Sequence, residues 1–317
     1  MKYVFIVNPA AGKGKHFEEV TDKIKKACEK LGAEYEIYVT AGVGDATEQV
    51  KLFANKYPED EITFFACGGD GTLCEVVNGA MAVPDRDRLY IGTVPAGTGN
   101  DFVRNYSESQ IFGDIEAQLS GSDMKIDLID CNGLYAVNMI NIGFDCEVVC
   151  KKAELQKHKI FPSKLAYIAG LIITLIRKPG VNCRMSLDGG EYSDRKLLLT
   201  TFGNGEYCGG GFHSNPESSV CNGKINALTV NNISRMKFIS IVGKYKKGTH
   251  LVYTDILQST LANTVDMQFD STTNISVDGE IVRVDGLHLQ AVKDAVNFVL
   301  PKGVKYVKQP TVAEALV

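Results

Sequence analysis

The sequence contains no apolar run long enough to cross a bilayer. Its most apolar window, Leu165 to Ile176, is twelve residues long and includes Tyr167 and Thr174, whereas a spanning helix needs about 20 residues. Membrane contact, where it occurs, is therefore expected to be peripheral. A secretory leader is not indicated either. Met1-Lys2-Tyr3-Val4-Phe5-Ile6-Val7 is too short for an apolar leader core with a cleavage site, and Asn8-Pro9 breaks it. Strong charge of either sign is missing: 34 basic and 38 acidic side chains leave a formal charge of −4, which argues against a nucleic-acid binder. There is no Cys-x-x-Cys. The nine cysteines, at 28, 67, 74, 131, 146, 150, 183, 208 and 221, are odd in number and scattered. Neither a structural zinc cluster nor a fully paired disulfide framework fits that spacing, and reduced thiols in the cytoplasm are the expectation. No internal repeat, low-complexity tract or disordered linker stands out. What remains is an ordinary globular composition, 44% hydrophobic and 23% charged over 317 residues, enough for two domains or one large one.

The chain is organised around Ile62 to Glu75. A short apolar run, Phe64-Phe65-Ala66, ends in Gly68-Gly69-Asp70-Gly71, and a helical pattern starts at Thr72. Strand, tight turn and helix N-terminus in that order make an anion site: glycines permit positive φ and close approach, and the helix start offers free N–H groups. Asp70 in mid-turn then suggests a metal cation between its carboxylate and a phosphate. The alternative is a turn whose Asp caps the helix.

Tyr3 to Val7 reads as a strand buried on both faces, followed by Asn8-Pro9-Ala10-Ala11-Gly12-Lys13-Gly14-Lys15 and a helix stopped by Gly32. That Gly/Lys turn is either a phosphate cradle or a solvated basic loop, and it lacks the P-loop pattern. Tyr35 to Val39 is a second strand and is followed by a helix through Tyr57. Leu89 to Val94 is a fourth strand, entering Pro95-Ala96-Gly97-Thr98-Gly99-Asn100-Asp101-Phe102 and a further helix, with Arg104 just beyond. Such alternation argues for a parallel α/β domain, whose ligands bind beyond the carboxyl ends of the strands. Glycine loops after strands one, three and four share that edge.

From about Lys125 the pattern changes to short, often alternating strand candidates: 126–130, 135–139, 195–202, 225–230, 265–269, 274–277 and 287–292. These predict a mostly antiparallel β domain, interrupted by helical patterns from Cys146 through Ile176 and from Ser234 to Lys247. Within the first, Phe161 to Ile176 puts its apolar residues on one face, flanked by Lys151, Lys152, Lys157, Lys159, Lys164, Arg177 and Lys178. That helix either covers a sheet or lies against anionic headgroups.

Three motifs in order, Asn8-Pro-x-x-Gly12-Lys13, Gly68-Gly-Asp-Gly-Thr72 and Gly97-Thr-x-Asn-Asp101-Phe, resemble the catalytic domain of the diacylglycerol kinase family. That family includes bacterial soluble diacylglycerol kinases and related lipid kinases and, more distantly, sphingosine and ceramide kinases. Asn141-Ile-Gly-Phe-Asp145, Leu165-Ala-Tyr167, Gly209-Gly-Gly-Phe212 and Asp278-Gly-Glu280 extend the likeness over nearly the whole chain. The Gly-Gly-Asp-Gly-Thr turn is shared with NAD kinases, and the Gly-Thr-x-Asn-Asp element is the part that resembles lipid kinases.

The resemblance implies an α/β chain of two domains. Residues 1–128, rejoined by the tail 304–317, would form a three-layer α/β/α nucleotide domain. Residues 129–303 would form a mainly antiparallel β-sandwich-like domain completing the lipid site. It implies ATP and magnesium. Asn8, Pro9, Ala10, Ala11, Gly12, Thr40, Gly68, Gly69, Asp70, Gly71, Thr72, Glu75, Gly97, Thr98 and Asn100 would hold the nucleotide, and Lys13 and Arg104 would offset phosphate charge. Asp70, Asp101 and Asp127 would form a magnesium network near the γ-phosphate. Read without the resemblance, Asp101 is equally a helix cap and Asp127 a solvent-facing strand residue. Asp278, with Glu280 beside it, would be the base that takes the proton of a lipid hydroxyl. On sequence alone Asp278-Gly279 also reads as a hairpin turn.

One loop departs from the family pattern. Where a structural magnesium is bound in some bacterial members, this chain has Ser219, Asn222 and Lys224, with Asn222 in place of an aspartate ligand, so a weak or empty site is expected. Ala11 likewise replaces a small hydroxyl residue. The implied activity is phosphorylation of a lipid alcohol, foremost diacylglycerol to phosphatidate, at the inner membrane surface by a cytoplasmic, peripherally attached protein. A homodimer stays open. The alternatives are an NAD kinase and a non-catalytic nucleotide- or lipid-binding regulator.

Overall fold

A computed structural model describes residues 1–14, 17–157, 180–306 and 308. The amphipathic segment 161–176, the Leu165-Ala-Tyr167 motif and most of the tail lie outside the described residues. Among those described, no helix is long and apolar enough to cross a membrane, and the nine cysteines are free thiols.

The continuous apolar runs become a parallel sheet. β1 (Lys2–Val7), β2 (Tyr35–Val39), β3 (Ile62–Gly68) and β4 (Leu89–Pro95) lie in the order β4-β3-β1-β2, every pair parallel. Side chains alternate across a strand, so β1 sends Val4 and Ile6 into one core and Phe5 and Val7 into another. α2 (Asp45–Lys56) and α3 (Asp70–Met81) close the first core and α1 (Phe17–Leu31) the second, giving the three layers expected. α1 stops where Gly32 takes φ 62° and Ala33 N–H returns to Cys28 O at 2.9 Å. α2 and α3 touch through Gly79, where a Cβ would stand 2.7 Å from both Thr47 O and Val50 Cβ.

The helix expected at Asp101 is not an α-helix. A 3-10 turn, Phe102–Asn105, is followed by another at Ser109–Gly113 and by the short α4 (Ile115–Leu119), capped by Asp114. Tertiary pairing ends the first turn. Tyr106 is extended (φ −116°, ψ 153°), bridges Tyr306 and stacks on Phe298 at 5.6 Å between centroids.

The second half is antiparallel, as the alternation suggested. It comprises β5 (Ser122–Cys131), β6 (Leu134–Ala136), β7 (Met139–Gly143), α5 (Phe144–Lys157), β8 (Val181–Leu187), β9 (Ser193–Gly203), the β10–β11 hairpin (Tyr207–Cys208, Phe212–His213), β12 (Ile225–Asn231), α6 (Arg235–Lys247), β13 (Leu257–Ala262), β14 (Thr264–Val277) and β15 (Glu280–Leu300). β8, the β10–β11 hairpin and β13 escaped the sequence reading. The candidate strand 135–139 is split, because the amides of Val137 and Asn138 leave the ladder for a side chain described below. β15 runs antiparallel to β14, then to β5, and at Asn297 and Phe298 joins β4 in parallel. One long strand thus carries hydrogen bonding from one half into the other.

The register of β15 with β5 slips between Val292 and Val296, where Asp294 takes φ 51°. Asp127 fills that bulge and is only 1% exposed, not solvent-facing. Its Oδ1 accepts Asp294 N–H at 2.9 Å and its Oδ2 accepts Gly223 N–H at 2.5 Å, while its own N–H donates to Val220 O at 2.7 Å. Burial holds its carboxyl above the ordinary range, against those two amides.

Truncating Asp127 to Ala strands two amides, and equilibrium urea unfolding is expected to show a loss of about 2–5 kcal/mol. A loss below about 0.5 kcal/mol would contradict its role as an anchor. Gly79→Ala gains about 1 kcal/mol in helix propensity but overpacks the α2–α3 contact by about 1–3 kcal/mol. A net fall in unfolding free energy is expected in the same assay.

Candidate functional site

Because β1, β3 and β4 run parallel and side by side, their following turns meet on one edge. Asn8 links them. Its N–H donates to Cys67 O at 3.0 Å, its Oδ1 accepts Ala10 N–H at 3.0 Å, and its Nδ2 donates to Thr72 Oγ1 at 3.1 Å. Ala11 N–H closes on Asn8 O at 3.1 Å, and Gly12 turns the chain with φ 58°. Thr40 N–H reaches Val7 O at 2.9 Å, bringing the loop after β2 to the same rim. Gly68 O accepts from both Ala96 N–H (2.7 Å) and Gly97 N–H (3.1 Å). Asn100, at φ 52°, holds that last turn through two 3.1 Å bonds to the Gly97 backbone.

None of Gly68, Gly69, Gly71 and Gly97 takes a positive φ, contrary to expectation. Their requirement is space. A Cβ on Gly68 would lie 2.2 Å from Thr72 Oγ1, and one on Gly97 would lie 2.5 Å from Gly69 Cα. Outward from the turn, Gly71 and Thr98 are exposed, and a Cβ on Gly71 would meet nothing within 4 Å. A ligand can therefore lie directly on the start of α3, whose first amides have no partner within the helix.

Asp70 does not cap α3; Gly69 occupies the cap position with no side-chain bond. Asp70 Oδ1 accepts Phe102 N–H at 3.0 Å instead. Asp101 accepts Gly210 N–H on Oδ2 (2.8 Å) and Gly211 N–H on Oδ1 (2.7 Å), with Arg104 Nε 3.3 Å from Oδ1. Arg104, itself exposed, also donates to Gly99 O at 3.2 Å. Both carboxylates flank Gly99, where a Cβ would stand 3.2 Å from Asp70 Oδ2 and 3.5 Å from Asp101 Oδ2. Burial, then the charge of Asp70, holds the Asp101 carboxyl above its ordinary value. Hard oxygens converging on one point suit a small divalent cation that takes its remaining ligands from water and phosphate. Among the described residues no group of three or more His, Cys, Asp or Glu forms a complete ligand set.

Asp278 and Gly279 form the two-residue turn between β14 and β15, with φ 47° and 95°, so the hairpin reading holds. The partly buried carboxylate also has a cradle. Val137 N–H donates to Oδ2 at 2.6 Å, and Asn138 and Met139 N–H donate to Oδ1 at 3.1 and 2.7 Å. Burial pushes its pKa up to about 6. The three amides oppose the rise, and the charge of Asp70 adds to it. Glu280 is exposed beside it. On α3, burial and then the charges of Asp278 and Glu280 raise the Cys74 thiol well above its usual value. Asp278 therefore lies near Cys74 on α3.

Other expected residues lie elsewhere. Asp127, in the bulge of β15, takes the amides of Asp294 and Gly223, and among the described residues it shares no direct hydrogen-bond partner with Asp70 or Asp101. Glu75 turns to α2, where its Oε2 accepts Ala46 N–H at 3.2 Å. Ser219 accepts from Tyr306 OH (2.9 Å), Asn222 from Lys224 N–H (3.0 Å), and Lys224 Nζ donates to Asn263 Oδ1 (2.7 Å). Pro9 and Ala10 lie at the surface of the first turn. The side chain of Lys13 lies outside the described set.

The sequence reading missed Asn78. Its Nδ2 donates to Tyr135 O at 2.8 Å and its Oδ1 accepts Tyr135 N–H at 2.9 Å. This pair fastens α3 to β6, two residues before the amides that hold Asp278. Asn105 was missed too; its Oδ1 accepts Glu206 N–H at 2.7 Å. Each looks like an ordinary polar helix or turn residue until its distant partner is known.

Residues 2–131 match the family model described as diacylglycerol kinase catalytic domain, and residues 138–300 match the YegS C-terminal NAD kinase beta sandwich-like domain. A Staphylococcus carnosus protein named diacylglycerol kinase is 27% identical over 301 residues, 95% of each chain. A solved diacylglycerol kinase structure from Bacillus anthracis superposes with a TM-score of 0.69 at 21% identity, over 94% of this chain and 96% of that one. An NAD kinase from Archaeoglobus fulgidus, solved with ATP, is similar in fold alone, with a TM-score of 0.51 at 10% identity over 98% and 94% of the two chains. With its two halves matched in this order, the chain belongs to the diacylglycerol kinase catalytic-domain family and carries that family's β-rich partner domain.

Proposed function

We propose that this protein transfers the γ-phosphoryl group of ATP to the hydroxyl of a membrane lipid, with diacylglycerol as the foremost acceptor and phosphatidate as the product. The observation that supports this is the cradle of three backbone amides around Asp278; burial pushes the pKa of its carboxyl up to about 6, with the charge of Asp70 adding to the rise. A lipid hydroxyl is a weak nucleophile near pH 7, and a carboxylate that takes its proton as the new P–O bond forms is the device it needs. A pKa near 6 leaves Asp278 ionised at neutral pH, yet more basic than a solvent-exposed aspartate.

The rest of the reaction requires alignment and charge neutralisation. The turns at Asn8–Gly12, Gly68–Thr72 and Gly97–Asn100 would hold the nucleotide, and Arg104 would neutralise phosphate charge. Asp70 and Asp101 would hold magnesium, which supplies charge stabilisation to the phosphates when bound. The family match and the named relative support a kinase that acts on lipids; the acceptor itself is our reading.

Incubation with γ-labelled ATP, magnesium and mixed micelles of candidate lipids is expected to label diacylglycerol. Folded protein that labels no lipid would overturn the proposal. Asp278→Asn is expected to lower turnover by about 10²–10⁴-fold while ATP affinity, by calorimetry, changes little. Asn78→Ala, which frees β6 from α3, is expected to lower turnover by about 10- to 100-fold with the ATP KM near wild type. A change confined to KM would remove Asn78 from the account.

A further inference from the structure

α6 carries two unlike faces. One faces the protein: Phe238, Ile241 and Tyr245 are buried, Phe238 packs on Phe144 at 4.7 Å between centroids, and Tyr245 OH donates to Asp145 Oδ2 at 3.0 Å. Ser234 caps the helix start, and Gly248 at φ 72° ends it. This face supplies the buried side chains of the helix, while Lys237 and Lys244 lie over the Tyr253 ring at 5.4 and 5.0 Å. On the other, Met236 is 76% exposed and Ile239 49% exposed. Gly243 continues the same stripe, and a Cβ there would meet nothing within 4 Å. The helix, Arg-Met-Lys-Phe-Ile-Ser-Ile-Val-Gly-Lys-Tyr-Lys-Lys, contains five basic residues and no acidic one, in a chain whose overall charge is −4.

An exposed apolar stripe edged by lysines is stable where apolar groups can leave water and cations can meet phosphates, which describes the surface of an anionic bilayer. We propose that α6 is the surface by which this protein docks on anionic lipid, with Met236 and Ile239 entering between headgroups and the lysines lying against them. The inference rests on the lipid-kinase reading for its purpose, though not for its test. Its position supports it. The Lys246 ammonium lies over the Phe212 ring at 5.6 Å, and a Cβ on Gly248 would stand 2.3 Å from His213 Nδ1. Phe212 and His213 belong to the β10–β11 hairpin, whose Gly210 and Gly211 amides hold Asp101. A membrane on α6 would thus be one hairpin away from the acidic pair that the lipid hydroxyl has to approach.

The experiment is co-sedimentation of the full chain, without ATP, with vesicles of phosphatidylcholine alone or mixed with phosphatidylglycerol. Two double variants serve as probes, Met236→Ser with Ile239→Ser and Lys246→Gln with Lys247→Gln; all four positions are exposed, and circular dichroism checks folding. Wild type is expected to favour the anionic vesicles at low salt and to lose that preference at high salt. The lysine variant is expected to bind them about 25-fold less well, about fivefold per charge, and the apolar variant about tenfold less well. Both should still phosphorylate a short-chain diacylglycerol dispersed in water. Wild type that ignores anionic vesicles, or variants that bind as wild type does, would overturn the proposal, as would variants that convert a dimer to a monomer without vesicles. Failure of wild type to phosphorylate the dispersed acceptor would instead count against the kinase reading and leave the docking result standing.

Discussion

A carboxylate on a hairpin turn can stay ionised away from bulk water only if donors surround it, and here three consecutive backbone amides do so. Val137, Asn138 and Met139 turn their N–H groups onto Asp278, and the strand they would otherwise have continued breaks between β6 and β7. In return Asp278 N–H donates to Met139 O at 3.0 Å. The cradle belongs to the β-rich half, whereas the phosphate-facing turns belong to the parallel sheet. Everything functional in the arrangement depends on keeping those two halves in register.

Three devices do that. Asn78 bonds both the backbone N–H and the C=O of Tyr135, which fixes the approach of the cradle to α3. Asp101 and Asn105, on the short turn after β4, take the amides of Gly210, Gly211 and Glu206 from the opposite half. β15 pairs with strands of both halves, and its bulge is tied down by Asp127. Gly205 shows how close the halves come, since a Cβ there would stand 2.1 Å from Asn138 Oδ1 and 2.6 Å from Asn105 Nδ2. Asp101 therefore serves twice, as half of the acidic pair and as a latch between the halves.

Much of the first half was legible in the sequence. Four apolar runs gave four strands, and glycine turns at their ends placed the rim correctly, because period and punctuation are local signals. Of the two reasons for the glycines, positive φ fails and close approach remains: the structure needs their missing Cβ atoms. Asp278 was legible as a turn from its neighbours, and as a candidate base only through the family likeness. What escaped shares one property. Amides at 137–139, 210 and 211 carry no side-chain signature, and Asn78 and Asp127 act on partners 57 residues or more away in sequence. A single sequence without pairing information cannot assign such partners.

The kinase reading depends on Asp278 lying close enough to the turn after β3 for the charge of Asp70 to add to the rise that burial gives its carboxyl. Carbon-13 NMR titration of the Asp278 carboxyl, in wild type and in Asp70→Asn, measures that coupling without substrate. The account requires a midpoint at about 6 in wild type and a lower one once the charge at position 70 is removed. A midpoint near the ordinary aspartate value of about 4, or one indifferent to Asp70, would contradict it.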